Sequence, residues 1–261
     1  MRVGILADVH ANLPALARVL DLLEGDEVDA YVCAGDLVGY GPQPNECVHT
    51  IEALRATCVA GNHDLIATGR LPAERIGAPA WKSLRWTERV LRPGIAGFIR
   101  GLPRTAQSGR LLVAHGSLDD PTADVRPEDA PGQLGRLQEL APETEVLVLG
   151  HTHQPLAYGE RRGVLLDRRS GTVSFSESER LLVNPGSVGQ SRERRAVARY
   201  AVLDLTERRV EFRDTLYDRR ACRRALREQG LPARSYHRSP SGPRARLGRL
   251  RRQAGSLLSR S

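Results

Sequence analysis

Short apolar runs alternate with amphipathic stretches through the first half of the chain. Arg2–Ala7 is an apolar run that stops at Asp8, and it predicts a buried strand. Asn12 suits a helix N-cap with Pro14 in the first turn. Leu13, Leu16, Ala17, Leu20 and Leu23 then recur at helical spacing up to a stop at Gly25. Ala30–Ala34 predicts a second strand, ending at Gly35-Asp36 and followed by a helix from about Pro44 to Leu54. A third, Thr57–Ala60, ends at Gly61-Asn62-His63-Asp64. Two more, Leu111–Ala114 and Val146–Leu149, run into His115 and into Gly150-His151-Thr152-His153. Residues 65–109 read as mostly helical. Such alternation predicts an α/β sheet with crossover connections, which binds its ligands beyond the carboxyl ends of the strands.

Past residue 154 the period shortens. Leu156–Tyr158, Val164–Leu166, Thr172–Phe175, Leu181–Val183, Arg199–Leu205 and Val210–Arg213 predict antiparallel strands of a second sheet. Residues 219–229 predict a last helix, closed by Gly230 and Pro232. From Ala233 onward Ser, Pro, Gly and Arg dominate, so we divide the chain into a domain over 1–232 and a flexible tail over 233–261.

Charge sharpens that division. The 261 residues carry 39 Lys+Arg against 31 Asp+Glu, a net +8 that invites a nucleic-acid partner. Residues 1–232 are neutral, with 31 basic and 31 acidic side chains, and the excess is eight tail arginines. Leu247, Leu250, Ala254, Leu257 and Leu258 could line one helical face there, so contact with nucleic acid or an acidic membrane surface is expected through the tail alone. No apolar run approaches the ~18–20 residues that cross a bilayer, and the N-terminus does not resemble a signal peptide. The four cysteines form no CxxC pair, which fits a reducing cytoplasm.

The chemistry concentrates at the strand ends. Of seven histidines, five (His10, His63, His115, His151 and His153) follow a strand and sit beside Asp, Asn or Gly, while His49 and His237 read as surface residues. Asp8 and His10 flank one residue, so an extended backbone would aim both side chains the same way, and His151 with His153 repeats that spacing. Asp36 offers a carboxylate able to bridge two cations, and Asn62 a neutral carbonyl. An N/O set without thiolate suits Mn, Fe, Zn, Co or Ni. About seven donors are too many for one catalytic metal with an open position, and suit two metals sharing a carboxylate.

The order Asp8-Val9-His10, Gly35-Asp36, Gly61-Asn62-His63-Asp64, His115 and Gly150-His151-Thr152-His153 resembles the calcineurin-like metallophosphoesterases. Gly35–Pro42, Ala114–Ser117 and Asn184–Gln190 resemble their small bacterial and archaeal phosphodiesterase branch. The resemblance implies a four-layer α/β/β/α sandwich of two mixed sheets. It implies one metal on Asp8, His10 and His153, another on Asn62, His115 and His151, and Asp36 between them, with manganese the first expectation. It further implies in-line attack on a small phosphoester by a metal-bridging hydroxide, with His63 as an imidazolium near the leaving group, oriented by Asp64.

Two further expectations concern substrate. Asn184–Gly189 reads as a turn near the site whose backbone N–H groups, Gly186 included, could meet phosphate alongside Asn62 and His63. Relatives often carry a basic residue where this chain has Leu118-Asp119-Asp120-Pro121, which predicts different or less anionic esters unless Arg192, Arg194 and Arg195 compensate. Other functions compete with a broad phosphodiesterase: a dinucleoside polyphosphate hydrolase, a non-catalytic scaffold of the retromer type, and a nucleic-acid-binding protein resting on the tail.

Overall fold

The computed structural model describes residues 1–73, 76 and 78–239. Among these, twelve strands form two six-stranded mixed sheets. One runs in the order β3 (Thr57–Cys58), β2 (Ala30–Cys33), β1 (Arg2–Leu6), β11 (Ala198–Asp204), β12 (Arg209–Thr215), β9 (Gly171–Ser174). The other runs β4 (Thr105–Ser108), β5 (Leu111–Ala114), β6 (Val146–Val148), β10 (Leu181–Asn184), β7 (Leu156–Gly159), β8 (Gly163–Asp167).

Alternation along the buried strands builds the layers. Val3 and Ile5 of β1 face the core between the sheets, with Val113, Val148, Val183 and Phe212. Leu6 turns to the outer face of the first sheet, where Leu16, Val19 and Leu23 of α1 (Leu13–Gly25) pack beside Val48 and Ile51 of α2 (Pro44–Ala53). Gly4 lies under α1 because a Cβ there would press Leu23 at 3.1 Å. The second sheet is covered by α6 (Ala130–Leu140) through Leu134 and Leu137. Helix, sheet, sheet and helix make the expected four layers.

Two expectations need correction, and a third, the mostly helical reading of 65–109, holds up to its last residues. The strands after residue 154 do not form a sheet of their own: β9, β11 and β12 extend the first sheet, and β7, β8 and β10 extend the second. Nor are they all antiparallel, since β10 pairs parallel with β6. Residues 65–109 hold α3 (Asn62–Ala67), α4 (Ala78–Val90) and α5 (Pro93–Gly101), but end in β4, an edge strand whose Thr105-Ala106-Gln107-Ser108 carries only a weak apolar alternation.

The segment 233–239 is attached to the body. Tyr236 is buried, the Ser235 hydroxyl donates to the Tyr40 carbonyl at 2.8 Å, and the Arg238 N–H donates to the Ser191 carbonyl. The amphipathic pattern at 247–258 lies outside the described residues. The last described helix is α7 (Arg219–Glu228), and no described helix is long and apolar enough to cross a membrane.

Candidate metal centre

The parallel strands β1, β2 and β3 of one sheet and β5 and β6 of the other end at the same edge of the sandwich. Asp8 and His10 follow β1, Asp36 follows β2, Asn62 and His63 follow β3, His115 follows β5, and His151 and His153 follow β6. These loops are laced together. Asp8 N–H donates to the Gly35 carbonyl at 3.0 Å, His10 N–H to the Asp36 carbonyl at 2.9 Å, and Gly150 N–H to the His115 carbonyl at 2.8 Å.

The donors fall into two groups. Asp8 Oδ1 lies 3.5 Å from His153 Nε2, which lies 3.1 Å from His10 Nε2. Asn62 Oδ1 lies 3.0 Å from both His115 Nε2 and His151 Nδ1. Asp36 Oδ2 reaches both groups, at 3.6 Å from His10 Nε2 and 3.3 Å from His115 Nε2. Ligand atoms of His10, Asp36 and His63 also lie within 4.8 Å of one another.

The backbone route to it differs from the expected one. Asp8 (φ 54°) and His10 (φ 47°) both take left-handed conformations, as do His151 (φ 67°) and His153 (φ 59°). Convergence therefore comes from tight left-handed turns and not from alternation along an extended strand. Asp36 is left-handed too, beside Gly35, whose Cβ would strike the Gly61 nitrogen at 2.6 Å.

Proton positions test whether the centre fits cations. His10 Nδ1 faces the Val38 carbonyl at 3.0 Å and His153 Nδ1 the Gln190 carbonyl at 2.7 Å. A carbonyl only accepts, so both Nδ1 atoms carry the proton and both neutral rings turn a bare Nε2 toward the other. Burial holds both imidazoles well below the ordinary histidine value, against the pull of Asp36, so the rings stay neutral. Two lone pairs 3.1 Å apart repel unless a cation lies among them. Asp8 Oδ2 is buried without a partner, and burial, with Asp36 adding to it, pushes the Asp8 carboxyl up to about 7. In the other group burial works to lower His115, but the Asp36 carboxylate outweighs it and raises the ring to about 10. That proton occupies the place a cation would take. The donor set fits divalent metal.

Residues 1–208 match the profile of the calcineurin-like phosphoesterase superfamily domain. The chain belongs to that superfamily. This phosphoesterase is therefore a hydrolase of phosphoric esters from a metal-dependent family. It is 32% identical to a metallophosphoesterase of Sphaerobacter thermophilus whose crystal structure superposes with a TM-score of 0.76, covering 91% of this chain and 98% of that one. Protein PH1004 of Pyrococcus horikoshii shares the fold at 20% identity, TM-score 0.74, covering 90% and 96%. Phosphodiesterase YfcE of Escherichia coli is 26% identical over 204 residues, 72% of this chain and 86% of its own.

Three site expectations change in this phosphoesterase. Asp64 does not orient the His63 ring. Its carboxylate accepts from the main-chain N–H groups of Gly61 (3.0 Å), Leu37 (3.2 Å) and Val38 (3.1 Å), tying the β2 and β3 loops together, while His63 Nδ1 has no partner. Burial holds His63 below the ordinary histidine value, with Asp36 opposing, so its resting ring is neutral and not an imidazolium. Gly186 has no free N–H for phosphate: it donates to Asn184 Oδ1 at 2.9 Å, and the Val188 and Gly189 N–H groups donate to Ala7 and Asp8 carbonyls. The turn braces the Asp8 loop, so closely that a Cβ on Gly189 would lie 1.8 Å from the Val9 oxygen.

Some neighbours were not foreseen. Tyr40 sets its ring 4.7 Å from that of His10 and 4.8 Å from that of His63, and its place in Gly39-Tyr40-Gly41 was the available signal. Asp124 Oδ1 lies 3.6 Å from His151 Nε2, with nothing in the sequence to pair them. Arg192 reaches the carbonyl of Thr152, the residue between His151 and His153, at 3.4 Å.

Proposed function

We propose that the protein is a dinuclear phosphodiesterase acting on small phosphoesters. The observation that carries this reading is that Asp36 Oδ2 lies between two donor groups, in one of which two bare imidazole nitrogens face each other. Asp8, His10 and His153 would hold one divalent cation, and Asn62, His115 and His151 the other, with Asp36 common to both. Manganese suits this N/O set, and iron, nickel, zinc and cobalt are its competitors. Two such cations supply Lewis-acid neutralisation of phosphoryl oxygens and a lowered pKa for water.

The chain's own residues do the rest. Nδ1–H bonds from His10, His115 and His153 to carbonyls lock each ring's orientation before any ion arrives. His63, whose ring lies close to His10 and Asp36, is assigned here to the leaving group and is held by its main-chain N–H on Asp36 Oδ1 at 2.8 Å. It is suited to offer a ring N–H to the departing oxygen as the P–O bond breaks. Tyr40 keeps that ring from swinging away. The name of the YfcE relative supports diesters over monoesters, and four free, buried cysteines support a reducing cytoplasm.

The test strips the metal, restores Mn, Ni, Zn or Mg, and compares bis(p-nitrophenyl) phosphate with p-nitrophenyl phosphate. The reading expects two ions per chain at full activity and a higher kcat/KM for the diester. One ion per chain at full activity, or a preference for the monoester, refutes it.

A further inference from the structure

A cleft of about 1290 Å³ opens beside the metal centre, and its described lining includes Arg126, Arg168, Arg192, Arg194, Arg195 and Arg238. Its two lining carboxylates are already taken. Arg199, whose side chain is 7% exposed, holds Glu193 through a fork of two bonds at 2.7 and 2.8 Å and lies 3.5 Å from Asp214. Among the described residues no carboxylate pairs with Arg192, Arg194, Arg195 or Arg238. Like charges gathered on one concave wall without counter-ions repel, and a guanidinium fork matches a phosphate group bidentately.

The cleft adjoins the loop that carries His151 and His153. Arg192 Nη1 donates to the carbonyl of Thr152, the residue between His151 and His153, and Gln154 next to His153 lines the same cleft. Arg126 approaches Asp124, which faces His151. No aromatic side chain is among the described lining, so the cleft offers no stacking platform for bases. Its chemistry is for phosphate.

We propose that this cleft is a second anion site, which takes the remote phosphate groups of a compact polyphosphorylated substrate while the scissile phosphoryl group lies at the metal centre. The proposal rests on the phosphodiesterase reading above, and it takes up the alternative that Arg192, Arg194 and Arg195 compensate for Leu118–Pro121. Water adds to phosphorus, the P–O bond to the leaving group breaks, and that oxygen leaves with a proton. The cleft groups take no part in those bonds.

Sodium tripolyphosphate is titrated into metal-stripped, full-length protein by calorimetry. The R194E/R195E double variant should weaken its binding at least tenfold, and Arg168→Glu, on a different loop, should weaken it independently. With manganese restored, R194E/R195E should lower the kcat/KM ratio of a dinucleoside tetraphosphate to bis(p-nitrophenyl) phosphate at least tenfold. Tripolyphosphate affinity within twofold of wild type in both variants overturns the site. So does a single-stranded oligonucleotide being the only probe whose binding responds to them. If wild-type protein binds tripolyphosphate in this charge-dependent way yet hydrolyses no ester with any metal, the anion site is supported and the diesterase reading is the one refuted.

Discussion

Gly39→Ala tests the role of His63 without removing it. Gly39 has φ 87°, and a Cβ there would lie 2.2 Å from His63 Nδ1 and 3.1 Å from its Cγ. Ordinary contact begins near 3.4 Å, so the ring must retreat by roughly 1 Å, away from the glycine. A misplacement of ~1 Å in a reacting group costs about 10²-fold in rate. The left-handed backbone adds a stability cost of about 1–2 kcal/mol for alanine, which lowers Tm by ~2–4 °C per kcal/mol in a domain of this size. All seven candidate metal donors remain. The assay is kcat on bis(p-nitrophenyl) phosphate at saturating manganese, with metal content by elemental analysis. We expect kcat to fall about 10²-fold with two ions still bound. The same substitution in a His63→Ala background should cost nothing further, because it acts through that ring. Wild-type kcat at full occupancy would refute the argument. Loss of metal in proportion to activity would instead assign the effect to His10, which bonds the neighbouring Val38 carbonyl.

Three other expectations follow from the same geometry. Asp36→Asn removes the carboxylate both groups share, so metal content and activity should fall together; retention of two ions with low activity would contradict its bridging place. Asp64→Asn leaves three buried main-chain N–H groups competing for one carbonyl oxygen, at ~1–3 kcal/mol of stability, and thermal denaturation should show the loss even in metal-stripped protein. Metal binding should release protons, because a cation must displace one from Asp8 (about 7) and one from His115 (about 10). Both values are raised, so the competing protons are bound below them and affinity falls as pH falls. The product of the two binding constants should drop ~100-fold per pH unit below 7 and ~10-fold per unit between 7 and 10, measured by competition with a chelating dye.

The strand and helix positions of the first half were legible because each element carries one strong period. Asn12 is an example: its Oδ1 accepts from the Ala15 N–H at 3.3 Å, as a cap should. The same residue also donates to the Gly189 carbonyl across 177 positions, and no local pattern encodes that bond. Sheet assignment failed for the same reason. The runs at 172–175 and 181–183 look alike along the chain, yet β9 and β10 belong to different sheets, because partner choice is settled by inter-sheet packing of Val173, Val183 and Phe212.

At the site, residue types were legible and backbone conformations were not. Alternation is a property of extended chain, and Asp8, His10, Asp36, His151 and His153 are all left-handed. Aspartate and histidine are among the few non-glycine residues enriched in that region, so the side chains that ligate metal also suit the turns that aim them. Glycine completes the arrangement where the approach is closest: at Gly39 against His63, Gly41 against the His10 carbonyl oxygen at 2.3 Å, and Gly61 against Asp36 Oδ1 at 2.1 Å from a notional Cβ. The loops after β1, β2 and β6 are thus bent at their donors, with glycine relieving the bulk at the closest approaches. A rigid, preformed cage follows, in which the cost of gathering buried carboxylates and imidazoles is met during folding and offset when cations bind. Hence the metal-free protein should keep its fold and its donor geometry, and binding should need displacement of protons more than movement of chain.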